Sequence, residues 1–292
     1  MPAPKVTRAE AGCLYLVATP IGNLEDISLR ALRVLREADL IACEDTRQTQ
    51  KLLAHYDIHK RLESYHEHNE MTRAPELIIE MEQGAQIALV SDAGTPAISD
   101  PGHRLVTLCL RHGIQVVPIP GPSALIAALV ASGLLTEEFT FVGFLPARGG
   151  ERRKALRALQ SEPRTLVFYE APHRLLDSLE DTLEILGNRP AVIAREVTKV
   201  YEEFLRGRLE ELLPELRRKP PRGEITILLG QDDGQPRNAA AAASVEPLAH
   251  RVEEIMRERS VDRKAALKLA ARERGLTRRE AYKQMLITRG ES

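Results

Sequence analysis

The chain has 292 residues, of which 43% are hydrophobic and 28% are charged, and its formal net charge at pH 7 is −1. This composition is typical of a globular protein of about two domains and excludes one that binds nucleic acid through its overall charge. The sequence has no apolar run long enough to span a bilayer and no signal-peptide pattern near Met1, so we expect a cytoplasmic protein.

Strand and helix patterns alternate through the first part of the chain. Strands are predicted at 14–18, 40–43, 86–90 and 115–118, with a further strand before His66, and helices at 28–38, after Arg47, at 72–83 and at 103–112. Strands that alternate with helices form parallel sheets covered by helices. We therefore predict an α/β domain with a parallel sheet over residues 12–122.

A second α/β domain is predicted over residues 123–230. It begins with an alanine-rich helix at 124–132, for which Ser123 is the predicted N-cap. Strands follow at 139–144, 165–169, 191–195, 202–206 and 224–229. The last pair lacks a long crossover pattern, which predicts a mixed sheet.

The C-terminal part has a different pattern. Residues 231–246 are polar and then alanine-rich, which is typical of a linker. Helical periods at 245–259, 262–274 and 277–289 predict a small three-helix domain over residues 247–290, with a layout that resembles a helix-turn-helix.

A loop rich in glycine and proline follows the predicted strand at 86–90. Gly94 and Gly102 allow the backbone to approach a ligand closely, and Pro96 and Pro101 restrict the loop to a defined shape. The loop at 91–102 therefore predicts a surface that binds a small molecule. A merely well-ordered turn into the next helix is the alternative.

Several familiar motifs are absent from the sequence. It contains no GxGxxG, GxxxxGK[ST], GxSxG or HExxH, which argues against dehydrogenases, P-loop enzymes and common hydrolases. The His-Glu-His run at 66–68 alternates between strand faces, so a polar edge is favoured over a metal site. Cys13, Cys43 and Cys109 form no CxxC pair and are expected to be buried. We predict no metal.

Charged residues after the predicted strands are candidates for catalysis, because ligands bind at the carboxyl ends of open parallel sheets. Asp45 and Glu44 are the preferred carboxylates for proton transfer, with Arg47 close enough to hold a phosphate or to pair with them. The alternative is a helix N-cap with first-turn charges. Lys199 with Glu202 is a second candidate, as a desolvated lysine base. A structural ion pair is the alternative there.

Seven segments in order along residues 12–230 carry a family resemblance. They are LVATPIGNL at 16–24, CEDTR at 43–47, SDAGTPAISDPG at 91–102, PGPSA at 120–124, GFLP at 143–146, YEAPHR at 169–174 and REVTK at 195–199. They resemble the ribosomal RNA small subunit methyltransferase I family, in the tetrapyrrole methylase superfamily. The C-terminal segment also resembles that family's helical domain.

The resemblance implies an activity and a cofactor. The implied reaction is S-adenosylmethionine-dependent methylation of a cytidine ribose 2′-hydroxyl in the decoding region of 16S rRNA, by a homodimer. The cofactor is implied to lie folded between the two α/β domains, with Ile98 and Leu145 as apolar walls for its adenine. The further implied contacts are Asp92, Ala93, Gly94, Thr95, Pro122, Ser123, Ala124, Phe144, Tyr169, Glu170, Ala194 and Glu224.

Candidate RNA contacts lie in both parts of the chain. Asn23 and Arg47 follow predicted strands, while His173 and Arg174 begin a helix, where capping and surface charge are the alternatives. The C-terminal segment is expected to bind the RNA backbone through Arg263, Lys264, Lys268, Arg278 and Arg279, although its interspersed glutamates also fit an ordinary solvated helix surface.

Two alternative functions stay open from the sequence. The first is a methyltransferase of the same fold that acts on a tetrapyrrole or another small molecule. The second is a noncatalytic RNA-binding protein that senses the cofactor. Turnover on RNA distinguishes both alternatives from the implied activity.

Overall fold

The computed structural model describes residues 12–231, together with 252, 255–257 and 262–273. The chain divides into two compact units, Met1–Asp233 and Gly234–Ser292. In the described part of the first unit lie two five-stranded sheets. The predicted boundary between residues 122 and 123 falls between these sheets, inside one unit, so the division into two domains stays a prediction. Within the described ranges, no helix is both long and apolar enough to cross a membrane.

The first sheet is entirely parallel, as predicted. Its elements in chain order are β1 (Cys13–Val17), α1 (Leu29–Glu37), β2 (Leu40–Cys43), α2 (Thr46–His55), β3 (Arg61–Ser64), α3 (Glu70–Glu82), β4 (Gln86–Val90), α4 (His103–Arg111) and β5 (Gln115–Ile119). The strand order is β3-β2-β4-β1-β5, and every neighbouring pair runs parallel. The carboxyl ends of β1, β2 and β4 therefore point to the same edge of the sheet.

Both faces of this sheet are covered. In β4, Ile87 and Leu89 pack into the core on one face, while Ala88 and Val90 pack into the core on the other. Alternate residues of a strand point to opposite faces, so a strand that is apolar throughout must be buried on both sides. This pattern explains why the apolar run at 86–90 predicts a central strand.

The second sheet is mixed, as predicted, but the predicted reason is wrong, because a helix connects its last two strands and these strands are not neighbours. Its elements are α5 (Ala124–Ser132), β6 (Phe139–Phe144), α6 (Gly149–Ala158), β7 (Thr165–Glu170), α7 (Leu175–Leu186), β8 (Pro190–Arg195), β9 (Glu203–Arg208), α8 (Leu209–Arg218) and β10 (Ile225–Leu229). The strand order is β6-β7-β10-β8-β9. Only β6 and β7 run parallel, and the other pairs are antiparallel. α5 packs on one face of this sheet.

Two local predictions have different outcomes. Thr72 does not begin α3, because the helix starts at Glu70 and the Thr72 hydroxyl donates to the Asn69 carbonyl instead. The Asn69 side chain fixes this earlier start by accepting from the His66 amide and donating to the Ser64 carbonyl. The prediction that the three cysteines are buried is confirmed.

The second unit is described only in part. Its helix α9 (Arg263–Glu273) begins after Asp262, whose carboxylate accepts a hydrogen bond from the Ala265 amide at 2.7 Å. Ala266 and Ala270 of α9 are buried together with Val252 and Ile255. Most of the predicted linker and of the helix at 245–259, and all of the helix at 277–289, lie outside the described residues. The three-helix domain therefore stays a prediction.

Candidate active site

A cavity of about 670 Å³ lies between the two sheets. Its walls come from the loops after β1, β2 and β4, from the first turn of α5, and from the ends of the strands of the second sheet. The lining residues are Ile21, Glu44, Asp92, Ala93, Gly94, Thr95, Ile98, Ser99, Asp100, Ser123, Ala124, Phe144, Tyr169, Glu170, Ala171, Pro172, Glu196, Val197, Lys199, Gly223, Glu224, Ile225 and Thr226. The volume is within the range of small-molecule sites.

The loop after β4 forms one wall and is fixed by hydrogen bonds. The backbone of Gly94 exchanges two hydrogen bonds with that of Thr19, at 2.9 and 3.0 Å. The Thr95 hydroxyl donates to the Pro122 carbonyl at 3.1 Å, which ties the loop to the chain before α5. Gly94 has a φ of +84°, a conformation that a side chain at this position would strain. The loop is therefore a defined surface, as its sequence predicts.

Three carboxylates line the first-sheet side of the cavity. Glu44 follows β2, and Asp92 and Asp100 belong to the loop after β4. Burial, together with the charges of Asp92 and Glu67, raises the pKa of Glu44, while His66 acts in the opposite direction. Burial and the charge of Glu44 raise the pKa of Asp100 to about 7. This side of the cavity is suited to a positively charged ligand.

Tyr169 fixes the start of α5 at the cavity wall. Ser123 precedes the helix as predicted, but its side chain makes no capping hydrogen bond. Instead, the Leu125 amide donates to the Tyr169 hydroxyl at 3.1 Å. The Tyr169 ring contacts Phe141 and Phe144 in edge and tilted geometries, with centroids 5.0 and 5.7 Å away. A tyrosine of the second sheet thus replaces the expected serine cap.

A charged network closes another side of the cavity. Glu196 has a φ of +52°, and its Oε1 accepts from the Lys199 ammonium at 2.8 Å and from the Glu224 amide at 3.0 Å. The Lys199 ammonium also lies 3.3 Å from the Glu224 carboxylate. A Cβ at Gly223 would lie 2.2 Å from Glu196 Oε1, so a side chain there requires this carboxylate to move.

Lys199 also joins this network to the first sheet. Its aliphatic chain covers Gly22 of the loop after β1 so closely that a Cβ at Gly22 would lie 2.3 Å from Lys199 Cγ. The loops after β1 and β8 therefore interlock beside the cavity. Any side chain at position 22 would require the Lys199 side chain to move.

The structure separates the three predicted catalytic residues. Glu44 lines the cavity, but Asp45 does not. Asp45 caps α2 by accepting from the Arg47 amide at 2.8 Å, and the Arg47 guanidinium binds both carboxylate oxygens at 3.0 and 2.7 Å. The hydrogen bond to the Arg47 side chain is the main reason why the pKa of Asp45 falls to about 2. The structure supports the capping alternative for Asp45, because such a carboxylate accepts protons poorly.

Lys199 lines the cavity, but not as a desolvated base. Burial alone would lower its pKa, but the hydrogen bond to Glu196 and the charge of Glu224 outweigh burial and raise the pKa above its ordinary value. Its predicted partner Glu202 instead accepts from the Thr198 amide at 2.7 Å. Lys199 therefore carries a stable positive charge. The structure supports the alternative of a structural ion pair, but the partners are Glu196 and Glu224 and not Glu202.

Most of the predicted cofactor contacts meet at the cavity. Those that line it are Asp92, Ala93, Gly94, Thr95, Ile98, Ser123, Ala124, Phe144, Tyr169, Glu170 and Glu224. Pro122 contributes only the carbonyl that holds Thr95. Leu145 and Ala194 are buried in the protein interior and are absent from the lining. Leu145 therefore cannot form the expected adenine wall without a rearrangement.

The predicted RNA contacts in the first unit differ in their hydrogen bonds and exposure. The Asn23 side chain caps a short 3-10 turn by accepting from the Glu25 amide, and Arg47 is paired with Asp45 although its side chain is 86% exposed. Arg174 precedes α7 but makes no side-chain capping hydrogen bond. Its guanidinium instead donates to the Leu145 carbonyl and lies beside Glu170. His173 is exposed.

The candidates in the second unit are only partly described. Lys268 is exposed on α9. Arg263 and Lys264 belong to α9, but their side chains are outside the described part, and Arg278 and Arg279 lie entirely outside it. Contact of these residues with RNA stays a prediction.

Several lining residues were absent from the sequence-based set, among them Ile21, Ser99, Asp100, Glu196 and Val197. Ile21 and Glu196 lie inside segments that carry the family resemblance, and Ser99 and Asp100 lie inside the predicted ligand loop. The segments were thus identifiable from sequence. Which side chains face the cavity depends on positive φ angles at non-glycine residues such as Ala97 and Glu196, and no sequence pattern shows these.

The chain matches known proteins along most of its length. The family described as Tetrapyrrole (Corrin/Porphyrin) Methylases matches residues 13–213. A relative from Halalkalibacterium halodurans, named Ribosomal RNA small subunit methyltransferase I, is 51% identical over 94% of this chain and 95% of its own. A relative of the same name from Escherichia coli O157:H7 is 47% identical, over 96% of each chain.

Solved structures share the fold at lower identity. Diphthine synthase superposes with a TM-score of 0.60 at 16% identity, over 75% of this chain and 90% of its own. Uroporphyrin-III C-methyl transferase from Thermus thermophilus, complexed with S-adenyl homocysteine, gives a TM-score of 0.53 at 24% identity, over 74% and 97%. With the match of the family along residues 13–213, these findings show that the chain belongs to the tetrapyrrole (corrin/porphyrin) methylase family.

Proposed function

We propose that this protein transfers the methyl group of S-adenosylmethionine to a cytidine ribose 2′-hydroxyl in the decoding region of 16S rRNA, within the small ribosomal subunit. The main structural support for this proposal is the cavity of about 670 Å³. It lies at the carboxyl ends of the strands and is lined by both carboxylates and apolar side chains. The curated relatives, which match nearly the full chain, are named as ribosomal RNA small subunit methyltransferases.

The cavity lining fits the chemistry of S-adenosylmethionine. Glu44, Asp92 and Asp100 face the cavity with carboxylates that suit a ligand with ammonium and sulfonium charges. Ile98 and Phe144 are 39% and 54% exposed, which leaves apolar surface for an adenine ring. The backbone of the loop at 92–95 offers donors and acceptors for polar groups. These residues are the ones we propose to hold the cofactor.

The protein's part in the reaction is to position groups and to accept a proton. Bound S-adenosylmethionine supplies a methyl group on a positively charged sulfur. Positioning of the attacking oxygen supplies much of the rate of such a displacement. The interlocked loops of Gly22 and Lys199 and the fixed loop at Gly94 provide a rigid frame for it. Glu44 is retained as a candidate proton acceptor because its pKa is raised.

RNA contacts and assembly are part of the proposal. Arg47 and His173 are exposed, and the guanidinium and the imidazole N–H are both donors that suit phosphate groups. Arg263, Lys264, Lys268, Arg278 and Arg279 of the second unit are further proposed RNA contacts. α5 presents exposed Ile126 and Val130, which supports a homodimer formed through this face. A cytoplasmic location follows from a substrate in the ribosomal subunit.

The test is transfer of labelled methyl from S-adenosylmethionine to small ribosomal subunits that lack ribose methylation, followed by nuclease mapping, with free 16S rRNA as the comparison. A single labelled ribose in the decoding region supports the proposal. Binding of the cofactor without transfer to subunits or RNA contradicts it and favours a small-molecule substrate or a noncatalytic role.

A pair of glycine variants connects the activity to the cavity. Gly94 lines the cavity at φ +84°, whereas Gly113 lies in the turn between α4 and β5 at φ +70°, where an added Cβ would meet no atom within 4 Å. Gly94→Ala and Gly113→Ala both carry a backbone cost of about 1–2 kcal/mol. We expect cofactor affinity, measured by calorimetry, to fall at least ~10-fold in Gly94→Ala only. Equal affinities in the two variants contradict the placement of the cofactor.

A further inference from the structure

We propose that a basic loop beside the cavity binds the RNA phosphates that flank the target ribose. The basic loop is the segment Arg-Lys-Pro-Pro-Arg at residues 218–222, which runs from the last residue of α8 toward β10. This inference rests on the proposed function. It adds a surface that the sequence patterns did not single out.

The fold places the basic loop next to the cavity. β10 runs antiparallel to β7 and β8, so its first residue, Ile225, lies at the edge of the sheet where those two strands end. Gly223, Glu224 and Ile225 all line the cavity. Neighbouring Cα atoms are about 3.8 Å apart, so Arg222 directly adjoins the cavity wall.

The cations of the basic loop are free to bind a ligand. Arg218, Lys219 and Arg222 are exposed. Within the described residues, their side chains make no hydrogen bond or ion pair. Arg217 and Arg195 differ, because each is bound by a glutamate at 2.8 Å. The basic loop therefore presents three positive charges that the protein itself does not neutralise.

The backbone of the basic loop is held at both ends. The Lys219 amide donates to the Glu215 carbonyl at 2.9 Å, where α8 ends. The Arg195 guanidinium donates to the Arg222 carbonyl at 3.4 Å. The two prolines between these contacts have fixed φ angles. The chain is thus ordered before a ligand binds, which lowers the entropic cost of binding.

A groove of about 330 Å³ lies along the basic loop. Arg195, Lys219 and Arg222 line it, together with Glu203 and Glu215. Arg195 neutralises Glu203, which leaves two cations and one carboxylate. The groove is therefore positive, whereas the first-sheet side of the cavity is lined by carboxylates.

This separation of charge suits a ribose within an RNA chain. The carbon that bears the 2′-hydroxyl is bonded to the carbon that carries the 3′-phosphate, so a phosphate accompanies the reacting oxygen. Glu44, Asp92 and Asp100 line the cavity, and their charges repel a phosphate. The phosphate must then stay outside while the ribose approaches. Phosphate contacts fix the position of a bound strand, and the basic loop offers cations where such contacts are needed.

The experiment compares the full-length wild type with two triple variants that each lose three positive charges. The first is Arg218→Gln, Lys219→Gln and Arg222→Gln. The matched control is Arg111→Gln, Lys154→Gln and Arg157→Gln, at exposed positions of α4 and α6. Arg111 and Arg157 lie near the amino ends of β5 and β7, at the edges of the sheets opposite the cavity.

Binding to small ribosomal subunits that lack ribose methylation is measured between about 0.05 and 0.2 M salt. Calorimetry gives the cofactor affinity, and thermal unfolding shows whether each variant is folded. A second measurement locates the contact on the RNA. The three native cysteines are buried, so Arg222→Cys provides an exposed thiol for a tethered iron chelate that cleaves nearby RNA. Arg111→Cys is its control.

The expected loss follows from the salt dependence of phosphate contacts. Each contact with a single strand contributes about 0.7 to the slope of log affinity against log salt. The basic-loop variant should therefore bind subunits ~10²-fold more weakly at about 0.1 M salt, with a slope smaller by about 2. The control variant should stay within ~3-fold of the wild type, and so should the cofactor affinity of both. The chelate at position 222 should cleave 16S rRNA beside the methylated ribose.

Three outcomes overturn the assignment. They are a basic-loop variant with the affinity and salt slope of the wild type, an equal loss in the two triple variants, and a loss of affinity without RNA cleavage near the methylated ribose. The last result indicates a ribosomal protein as the partner. If the basic-loop triple variant does not fold, the cleavage experiment alone decides. If the wild-type protein transfers no methyl group to RNA, the proposed function itself fails, and that result is distinct from all of these.

Discussion

Replacing Gly223 by alanine tests whether the Glu196 network holds the cavity wall in place. A Cβ at this position would lie 2.2 Å from Glu196 Oε1 and 2.3 Å from its Cδ, so the carboxylate must move. That carboxylate accepts from the Lys199 ammonium and the Glu224 amide, at 2.8 and 3.0 Å. The variant therefore loses two charge-assisted hydrogen bonds, in addition to the strain of alanine at φ +88°.

The magnitude follows from these two parts. Alanine in a left-handed conformation costs about 1–2 kcal/mol. Hydrogen bonds to charged groups contribute about 1.5–3 kcal/mol each, and the lower value applies here because the Glu196 and Lys199 side chains are 20% and 28% exposed. We expect Gly223→Ala to lower the free energy of unfolding by about 4–5 kcal/mol. Gly133→Ala, at φ +81° with no atom within 4 Å, should show the backbone cost alone.

The assay is a double-mutant cycle in urea unfolding at pH 7. In a Glu196→Ala background, the clash and the hydrogen bonds are already absent, so Gly223→Ala should cost only its backbone part, about 1–2 kcal/mol. The reasoning is refuted if the effects of Gly223→Ala and Glu196→Ala on the free energy of unfolding are additive. It is also refuted if Gly223→Ala lowers that free energy no more than Gly133→Ala does. The pKa of Glu196 is lowered from 4.5, mainly by Lys199, so the coupling should be complete above this pH and diminish as the pH falls below it.

Two further variants test single contacts. Tyr169→Phe removes the hydroxyl that accepts from the Leu125 amide, so we expect a loss of about 1–2 kcal/mol in unfolding free energy and weaker cofactor binding; unchanged stability and affinity would show that α5 does not depend on this cap. Asp45→Asn keeps a side chain that can cap α2, and because Asp45 already has a pKa of about 2, we expect methyl transfer within ~3-fold of the wild type. A hundredfold loss in the second variant would restore Asp45 as a base.

The sheet architecture could be predicted because it depends on local patterns. The run at 86–90 is apolar at every position after the first, which only a strand covered on both faces accommodates. The mixed second sheet was also predicted, but from a missing crossover between β9 and β10, whereas α8 connects these strands and they do not pair. Once the strands were in place, the rule that ligands bind at their carboxyl ends located the cavity.

The partners of individual charges could not be predicted in the same way. Lys199 was assigned to Glu202, three residues away, but it binds Glu196 and Glu224. Glu224 comes close only because β8 pairs with β10, a contact between distant parts of the chain. Glu44 and Asp45 are neighbours in sequence, yet one faces the cavity and the other caps a helix. Side-chain direction at the end of a strand depends on backbone angles that composition does not determine.

The charge of the cavity connects its carboxylates to the cofactor. Burial, followed by the charges of Glu44 and Asp92, raises the pKa of Asp100 to about 7. A positively charged ligand beside these groups lowers their pKa values and favours their ionised forms. Methyl transfer removes that positive charge, so the same carboxylates favour the charged cofactor over the neutral thioether that remains after transfer.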